Sequence, residues 1–199
     1  NLSFSIRKGE KVAFLAKNHR SITSFFDIIN KKNDSFLGDF KFGTTTRHTY
    51  LPNNHEEYFK GKTSIMDWLR DFSEEKDDVY IRGFLGKMLF SGEEVLKPTN
   101  VLSGGEKVRC MLSRMMLLEG NLLFFNTPTN HLDLESIQAL NNSMIDFKGT
   151  ILFTSHDHTL TQSVANRIIE ITPTANYDKL MSYKEFLNFK EDLEKKSNY

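Results

Sequence analysis

The residues best suited to binding a charged ligand are Ser103, Gly104 and Gly105, which stand directly before a stretch with helical periodicity. A serine at this place caps a helix through its hydroxyl, and the first-turn N–H groups left free carry partial positive charge. Glycines allow an anion to approach that backbone closely. The tripeptide therefore predicts either a helix whose amino end faces an anion or an ordinary capped helix.

A second candidate for ligand binding is His156, which follows the short apolar segment 150–154. In open α/β sheets, ligands bind in the crevice outside the carboxyl ends of the strands, and a histidine after such a strand lies there. A histidine at this place can contact a ligand in that crevice, or it can serve only the cap of the next helix. Asp133 is similarly placed to cap the helix that follows it.

The elements that must position these residues alternate between strands and helices, which is the pattern of a mainly parallel sheet covered on both faces. The segment 38–52, rich in Phe, Thr and Tyr, predicts two short strands joined around Gly43. Two helices at 64–72 and 79–90 predict an inserted helical unit. Elsewhere we expect strands at 11–16, 121–126, 150–154 and 167–171, and helices at 23–29, about 102–118, 133–147, 160–165 and 182–196.

Composition limits the classes of protein to consider. The 199 residues include 26 Lys and Arg against 26 Asp and Glu, so no overall basic field draws the chain to nucleic acid or acidic membranes. A single cysteine, Cys110, rules out an internal disulfide and fits a reducing cytoplasm. No apolar run approaches the roughly 20 residues that cross a bilayer. The sequence begins at Asn1 without a targeting segment, which suggests a piece of a longer protein.

Four ordered motifs carry a resemblance to a known family. Leu102-Ser103-Gly104-Gly105-Glu106, the strand 122–126, Pro128-Thr129-Asn130-His131-Leu132-Asp133 and Thr154-Ser155-His156-Asp157 resemble the signature motif, Walker B strand, D-loop and switch histidine of ATP-binding cassette domains. The Pro-Thr-Asn-His-Leu-Asp variant is similar to the ABC-F family, soluble tandem-cassette proteins that act on ribosomes. The segments 82–92 and 167–173 resemble the second cassette of one bacterial subgroup.

The resemblance implies an α/β fold of the P-loop NTPase type, with a mainly parallel sheet flanked by helices, a small antiparallel β part and an inserted helical subdomain. It implies one cassette over 1–180 that lacks its first strand, a helical insert at about 63–101, and a helical tail or linker at 181–199. The implied cofactors are ATP and Mg²⁺. The implied partners are a sibling cassette in head-to-tail pairing and the ribosome with its rRNA and tRNA, in the cytoplasm.

In such a pair, each ATP lies between the phosphate loop of one cassette and the signature motif of the other. The resemblance assigns this trans role to the signature segment, Ser103, Gly104, Gly105 and Glu106, and to the D-loop, Asn130, His131, Leu132 and Asp133. It assigns contact with a γ-phosphate to His156. The helix after the signature segment carries Lys107, Arg109 and Arg114, which either form a phosphate-binding stripe or a solvated helix face.

The chain departs from the family at its own phosphate loop, the segment 16–24. This segment has no glycine to bring backbone N–H groups close to a phosphate, and Ile22 replaces the phosphate-binding lysine. Thr23 keeps the hydroxyl that the family uses as a magnesium ligand, and Lys17 or Arg20 offers substitute charge. The full segment reads Ala16, Lys17, Asn18, His19, Arg20, Ser21, Ile22, Thr23 and Ser24.

The end of the Walker B strand also differs from the family's pattern. Asn126 and Thr127 replace Asp and Glu, so the second magnesium candidate, Asn126, is neutral, and Thr127 at the catalytic glutamate position cannot act as a base near neutral pH. Asn53 occupies the Q-loop position, with a shorter reach than glutamine. Phosphoryl transfer relies on positioning and charge, so the chain's own site is expected to be nearly or wholly inactive.

We therefore expect a cassette that lends its signature motif to a sibling's ATP while its own site is degenerate. Three alternatives stay open at this stage. The domain could bind and hydrolyse ATP through a rebuilt loop, it could be the nucleotide-binding subunit of a membrane transporter, or it could be a decayed copy without activity.

Overall fold

A six-stranded sheet forms the centre of the molecule. The computed structural model describes residues 2–31, 35–51, 56–130 and 132–197. Within these ranges the strand order is β2-β3-β4-β1-β5-β6, and all neighbours are parallel except the antiparallel pair β5 and β6. The strands are β1 Lys11–Ala16, β2 His48–Leu51, β3 Leu122–Asn126, β4 Thr150–Thr154, β5 Arg167–Ile171 and β6 Asn176–Lys179.

Helices cover both faces of this sheet, as the alternating sequence predicted. The α-helices are α1 His19–Ile29, α2 Ile65–Arg70, α3 Asp78–Lys87, α4 Gly104–Leu117, α5 Leu134–Asp146, α6 His158–Val164 and α7 Tyr183–Ser197. Short 3-10 turns at Glu56–Phe59, Gly92–Leu96 and Thr99–Val101 join the elements around α2 and α3.

Strands β1, β3 and β4 are buried on both faces because successive side chains point to opposite sides of the sheet. On one face, Phe14 and Phe124 pack with Phe26 of α1. On the other, Phe125 and Phe153 pack with helices α4 to α7 and with the helical unit. Two cores therefore sandwich the sheet, which is the α/β architecture that the sequence predicted.

Some expected elements differ from the structure. Two strands were predicted over 38–52, and the prediction of the first is wrong. Residues 38–47 form no strand, and β2 begins only at His48. Strand β6 was not expected from the sequence, and it supplies the antiparallel part of the sheet. Helix α1 begins at His19, four residues before the expected start at residue 23.

The last helix, α7, is anchored to the body of the fold. Phe186 is 1% exposed within the larger core, and the Tyr183 hydroxyl lies 2.8 Å from Nδ1 of His158. The neighbouring Leu187 is 41% exposed, so only one stripe of the helix is buried. Among the described residues, none of the helices has the length and apolar character needed to span a membrane.

Candidate nucleotide site

The segment 16–24 is a capped helix start and not an open loop. Only Lys17 and Asn18 separate β1 from α1. The Asn18 side chain accepts a hydrogen bond from the Arg20 N–H at 3.1 Å. The backbone carbonyl of Asn18 accepts one from the Ser21 N–H at 3.0 Å. These N–H groups are used inside the chain, whereas a phosphate loop directs such groups at its ligand. The prediction of a loop over 16–24 is therefore wrong from residue 19 onward, where α1 begins.

Ile22, at the position of the family's phosphate-binding lysine, belongs to the core. Its side chain is 1% exposed and packs in the same cluster as Phe14 and Phe26. A side chain at this place points away from solvent and supplies no charge. Lys17 and Arg20, which could have replaced that charge, are exposed.

The two magnesium candidates contact each other directly. The Asn126 amide Nδ2 donates a hydrogen bond to the Thr23 hydroxyl at 3.1 Å, and Asn126 is only 2% exposed. Magnesium prefers carboxylate oxygens and water in octahedral geometry, whereas an amide N–H is a donor that repels a cation. These residues do not fit a magnesium ion in this arrangement. The described part of the chain also has no group of three or more His, Cys, Asp or Glu that could hold a metal.

Tyr50 and Asp27 extend this contact, and sequence reasoning missed both. The Tyr50 hydroxyl donates to Oδ1 of Asp27 at 3.2 Å and also shares a hydrogen bond with Asn126. Burial, reinforced by the nearby Asp27 charge, raises the pKa of Tyr50 to about 12. We call Thr23, Asp27, Tyr50 and Asn126 the polar bridge, because they join α1, β2 and β3. Asp27 follows Thr23 by four residues on a helix, a spacing that could have indicated it.

Thr127, at the position of the family's catalytic glutamate, adopts an unusual backbone conformation. Its φ is +48°, in the left-handed region that β-branched residues rarely occupy, and it is 6% exposed. Its N–H donates to the Thr154 carbonyl at 2.9 Å, which fixes the turn after β3 against the end of β4. A threonine hydroxyl here cannot activate water as a carboxylate does.

The signature segment is formed as a complete capping box at the exposed start of α4. The Ser103 N–H donates to Glu106 Oε2 at 2.7 Å, and the Glu106 N–H donates to Ser103 Oγ at 3.3 Å. Glu106 also pairs with Lys97 at 2.7 Å. Although burial opposes its ionisation, these hydrogen bonds hold the pKa of Glu106 below its usual value. Ser103 and Gly104 are exposed.

The D-loop leads into α5 through Asp133, which accepts a hydrogen bond from the Ser136 N–H at 2.8 Å. A hydrogen bond from the Ser136 hydroxyl, followed by this backbone bond and a smaller contribution from the Arg109 charge, lowers the pKa of Asp133. Leu132 packs against the core and Asn130 is exposed. Leu134, the next residue, is 86% exposed. His131 of this loop and Asn53 of the Q-loop position lie outside the described residues.

His156 lies where the sequence predicted, beyond the carboxyl end of β4, and it is exposed. Asn126 and Thr154 are register partners in adjacent parallel strands, so His156 and Thr127 share one edge of the sheet. Asp157, and not His156, caps α6 by accepting the Leu160 N–H at 3.0 Å.

The basic residues of α4 do not form an open stripe. Lys107 pairs with Glu56 at 2.6 Å, and Arg109 lies over the Phe90 ring at 4.5 Å. Arg114 lies between the rings of Tyr58 and Phe72, and burial lowers its pKa. All three side chains therefore pack within the chain, which contradicts the phosphate-stripe reading of this helix.

Comparison with known proteins supports the cassette fold. No family model matches the chain. It is 54% identical over 98% of its length to the uncharacterized ABC transporter ATP-binding protein YkpA of Bacillus subtilis, and 28% identical over 93% of its length to ABC transporter F family member 5 of Arabidopsis thaliana. The chain spans 36% and 27% of those two proteins. A solved complex of the archaeal ribosomal stalk protein aP1 and the ribosome recycling factor aABCE1 matches with a TM-score of 0.72 at 19% identity, over 92% of this chain and 36% of that one.

Proposed function

Because the chain is an ATP-binding cassette with ABC-F members among its homologues, we propose that it acts as the non-hydrolysing half of a cassette pair. In this proposal its signature segment completes the ATP site of a sibling cassette, and its own phosphate site binds no nucleotide. ATP and Mg²⁺ bind cassettes of this kind in general, so here they belong to the sibling's half of the interface.

The observation that carries this proposal is the direct hydrogen bond from Asn126 to Thr23. It joins the two residues that stand at the family's magnesium positions, and an uncharged, buried Ile22 stands where a lysine would neutralise a phosphate. The signature segment, in contrast, has an exposed serine at a capped helix start. Leu134 is 86% and Val101 57% exposed beside the D-loop and the signature segment, as expected of residues that another domain covers.

The sibling role is tested by Ser103→Asp in the full-length protein. Aspartate caps a helix as well as serine does, so α4 keeps its stability, but its charge repels a γ-phosphate. We expect ATPase activity to fall at least about tenfold with an unchanged melting temperature, as one displaced charge contact in a transition state costs roughly 1.4 kcal/mol or more. Full ATPase activity in this variant would refute the sibling role.

A matched control exists at Ser91, which forms a second capping box with Glu94 at the start of the turn Gly92–Leu96. Ser91→Asp makes the same chemical change at the same kind of cap, away from the signature segment. It should leave the ATPase rate unchanged. A similar loss of activity in both variants would point to a general effect on the fold.

We propose further that the full-length protein works in the cytoplasm and acts on the ribosome. The support is the ABC-F homology and the cassette fold shared with the recycling factor aABCE1. Sedimentation of the full-length protein with ribosomes in the presence of a non-hydrolysable ATP analogue tests this target. Recovery instead with a membrane protein would favour the transporter alternative.

A further inference from the structure

An open groove lies between α3, the end of α4 and the length of α5, and no site residue described above lines it. Its volume is about 670 Å³. The floor is apolar and includes two methionines, whose flexible side chains adapt to varied partners. Its apolar residues include Phe84, Met115, Met116, Leu123 and Phe147.

The border of this groove is mainly acidic. Three carboxylates, Glu119, Glu135 and Asp146, lie along it with one lysine, Lys87. All three carboxylates are exposed, and within the described ranges none of them takes part in a salt bridge. Lys87 lies over the Phe84 ring at 5.0 Å, so its ammonium is held at the α3 side. The groove therefore presents exposed negative charge at Glu119, after the end of α4, and at Glu135 of α5, whereas Lys11 lies near Asp146.

Shape and charge together select one kind of occupant. Helix α5 has 13 residues, so the groove runs for about 20 Å, or between three and four turns of a second helix. An apolar floor takes the apolar stripe of an amphipathic helix, and an acidic border takes lysine or arginine beside that stripe. Nucleic acid is disfavoured because its phosphates would meet Glu119 and Glu135.

We infer that the groove between α3, α4 and α5 is a docking site for a cationic amphipathic helix of a partner protein. The exposed Leu89 supports this assignment at the α3 border. It lines the groove, is 37% exposed and has a φ of +64°, in the left-handed region that leucine rarely occupies. This inference does not depend on the state of the nucleotide site.

The test uses two labelled helical peptides of about four turns, with leucines on one face and either lysines or glutamates beside them. Fluorescence anisotropy should show binding of the cationic peptide alone. The double substitution Glu119→Lys with Glu135→Lys should weaken that binding at least about fivefold at low salt, since each exposed charge contact contributes modestly. Asp146 is left unchanged because Lys11 lies near it.

Glu74→Lys with Glu93→Lys is the matched control, because it changes the net charge equally at exposed residues outside the groove. It should leave the affinity nearly unchanged. Ala139→Trp, which fills the groove from α5, should abolish binding while far-UV circular dichroism stays the same. Equal loss in the control pair, equal binding of the acidic peptide, or retained binding in Ala139→Trp would overturn the inference.

Two other occupants are outcomes of the same experiment. Competition by a single-stranded RNA for the peptide site would show that nucleic acid binds the groove, and would overturn the inference. Concentration-dependent dimerisation of the chain that Ala139→Trp abolishes would assign the groove to a second copy of the chain, and would also overturn it.

Discussion

At the scale of single residues, Ile22 limits the conformations and the charge that the segment 16–24 can adopt. Its side chain is 1% exposed among aromatic residues of the core. A lysine at the same place must bury its ammonium or force α1 to rearrange. Placing a lysine at position 22 is therefore not expected to restore phosphate binding.

We predict that Ile22→Lys destabilises the chain by about 3 kcal/mol or more and confers no ATP binding. Ile22→Met is the control, because a swap of similar volume in a core costs less than about 1.5 kcal/mol. Urea denaturation measures both free energies of unfolding. A stable Ile22→Lys variant that binds Mg-ATP would contradict the assignment of this residue to the core.

Tyr50 gives a prediction about pH. Its pKa is raised to about 12 in the folded chain, chiefly by burial, against about 10 for an unfolded tyrosine. The unfolded state therefore loses the phenol proton first, and the Tyr50 contribution to stability decreases as pH rises from about 10 to about 12. The free energy of unfolding should fall more steeply in the wild type than in Tyr50→Phe, by up to about 2 kcal/mol after allowance for partial exposure.

The comparison with Tyr50→Phe isolates this group, since other tyrosines and the lysines titrate in the same range. At pH 8 the variant should be less stable by about 1 kcal/mol, the usual effect of losing one hydrogen bond. Identical pH profiles for the two proteins would mean that burial does not hold the Tyr50 phenol neutral in the folded chain.

At the scale of elements, the start of α1 shows why the sequence predicts the candidate nucleotide site only in part. The missing glycines and Ile22 were evident in the sequence, and they predicted a degenerate loop. The replacement structure was not evident, because asparagine is common in turns as well as at helix starts. Only the hydrogen bond that Asn18 accepts from the Arg20 N–H identifies it as a helix cap. Side-chain partners that are distant in sequence, such as Tyr50 and Asp27, carry no local pattern.

The regular elements were easier to predict because their periodicity is local. Strands β1, β3, β4 and β5 and helices α4 and α5 lie within a few residues of their expected bounds, since buried apolar runs and capping residues mark their ends. The strand expected within residues 38–47 does not form, because β-favouring side chains alone do not provide a neighbouring strand to pair with.

Helix α7 allows a prediction with two adjacent residues. Phe186 is 1% exposed and Leu187 is 41% exposed, although they are neighbours on one helix. Phe186→Ala should cost about 3 to 5 kcal/mol by leaving a cavity, and Leu187→Ala less than about 1 kcal/mol. Urea denaturation of the two variants tests whether α7 belongs to the cooperative fold. Equal small effects would show that it does not.

At the scale of the whole molecule, the polar bridge leads us to expect a fold whose stability does not depend on nucleotide. In a protein that binds a ligand only when folded, the ligand raises stability according to its concentration relative to Kd. Here Asn126 already donates a hydrogen bond to Thr23, and the Asn18 side chain accepts one from the Arg20 N–H at the start of α1. Hydrogen bonds within the chain therefore occupy groups that, by the resemblance to ATP-binding cassettes, were expected to face ATP and magnesium.

We predict that the melting temperature of the chain is the same with and without Mg-ATP, to within about 1 °C. Ligand at a hundred times its Kd stabilises a folded protein by about 2.7 kcal/mol. For a chain of this size that corresponds to a shift of roughly 5 to 10 °C. Binding with a Kd of about 10 μM would therefore be evident at about 1 mM nucleotide, and calorimetric titration checks the same point directly. Clear stabilisation by Mg-ATP, absent in Ser21→Asp, would show that the start of α1 opens into a phosphate site and that this cassette holds its own nucleotide.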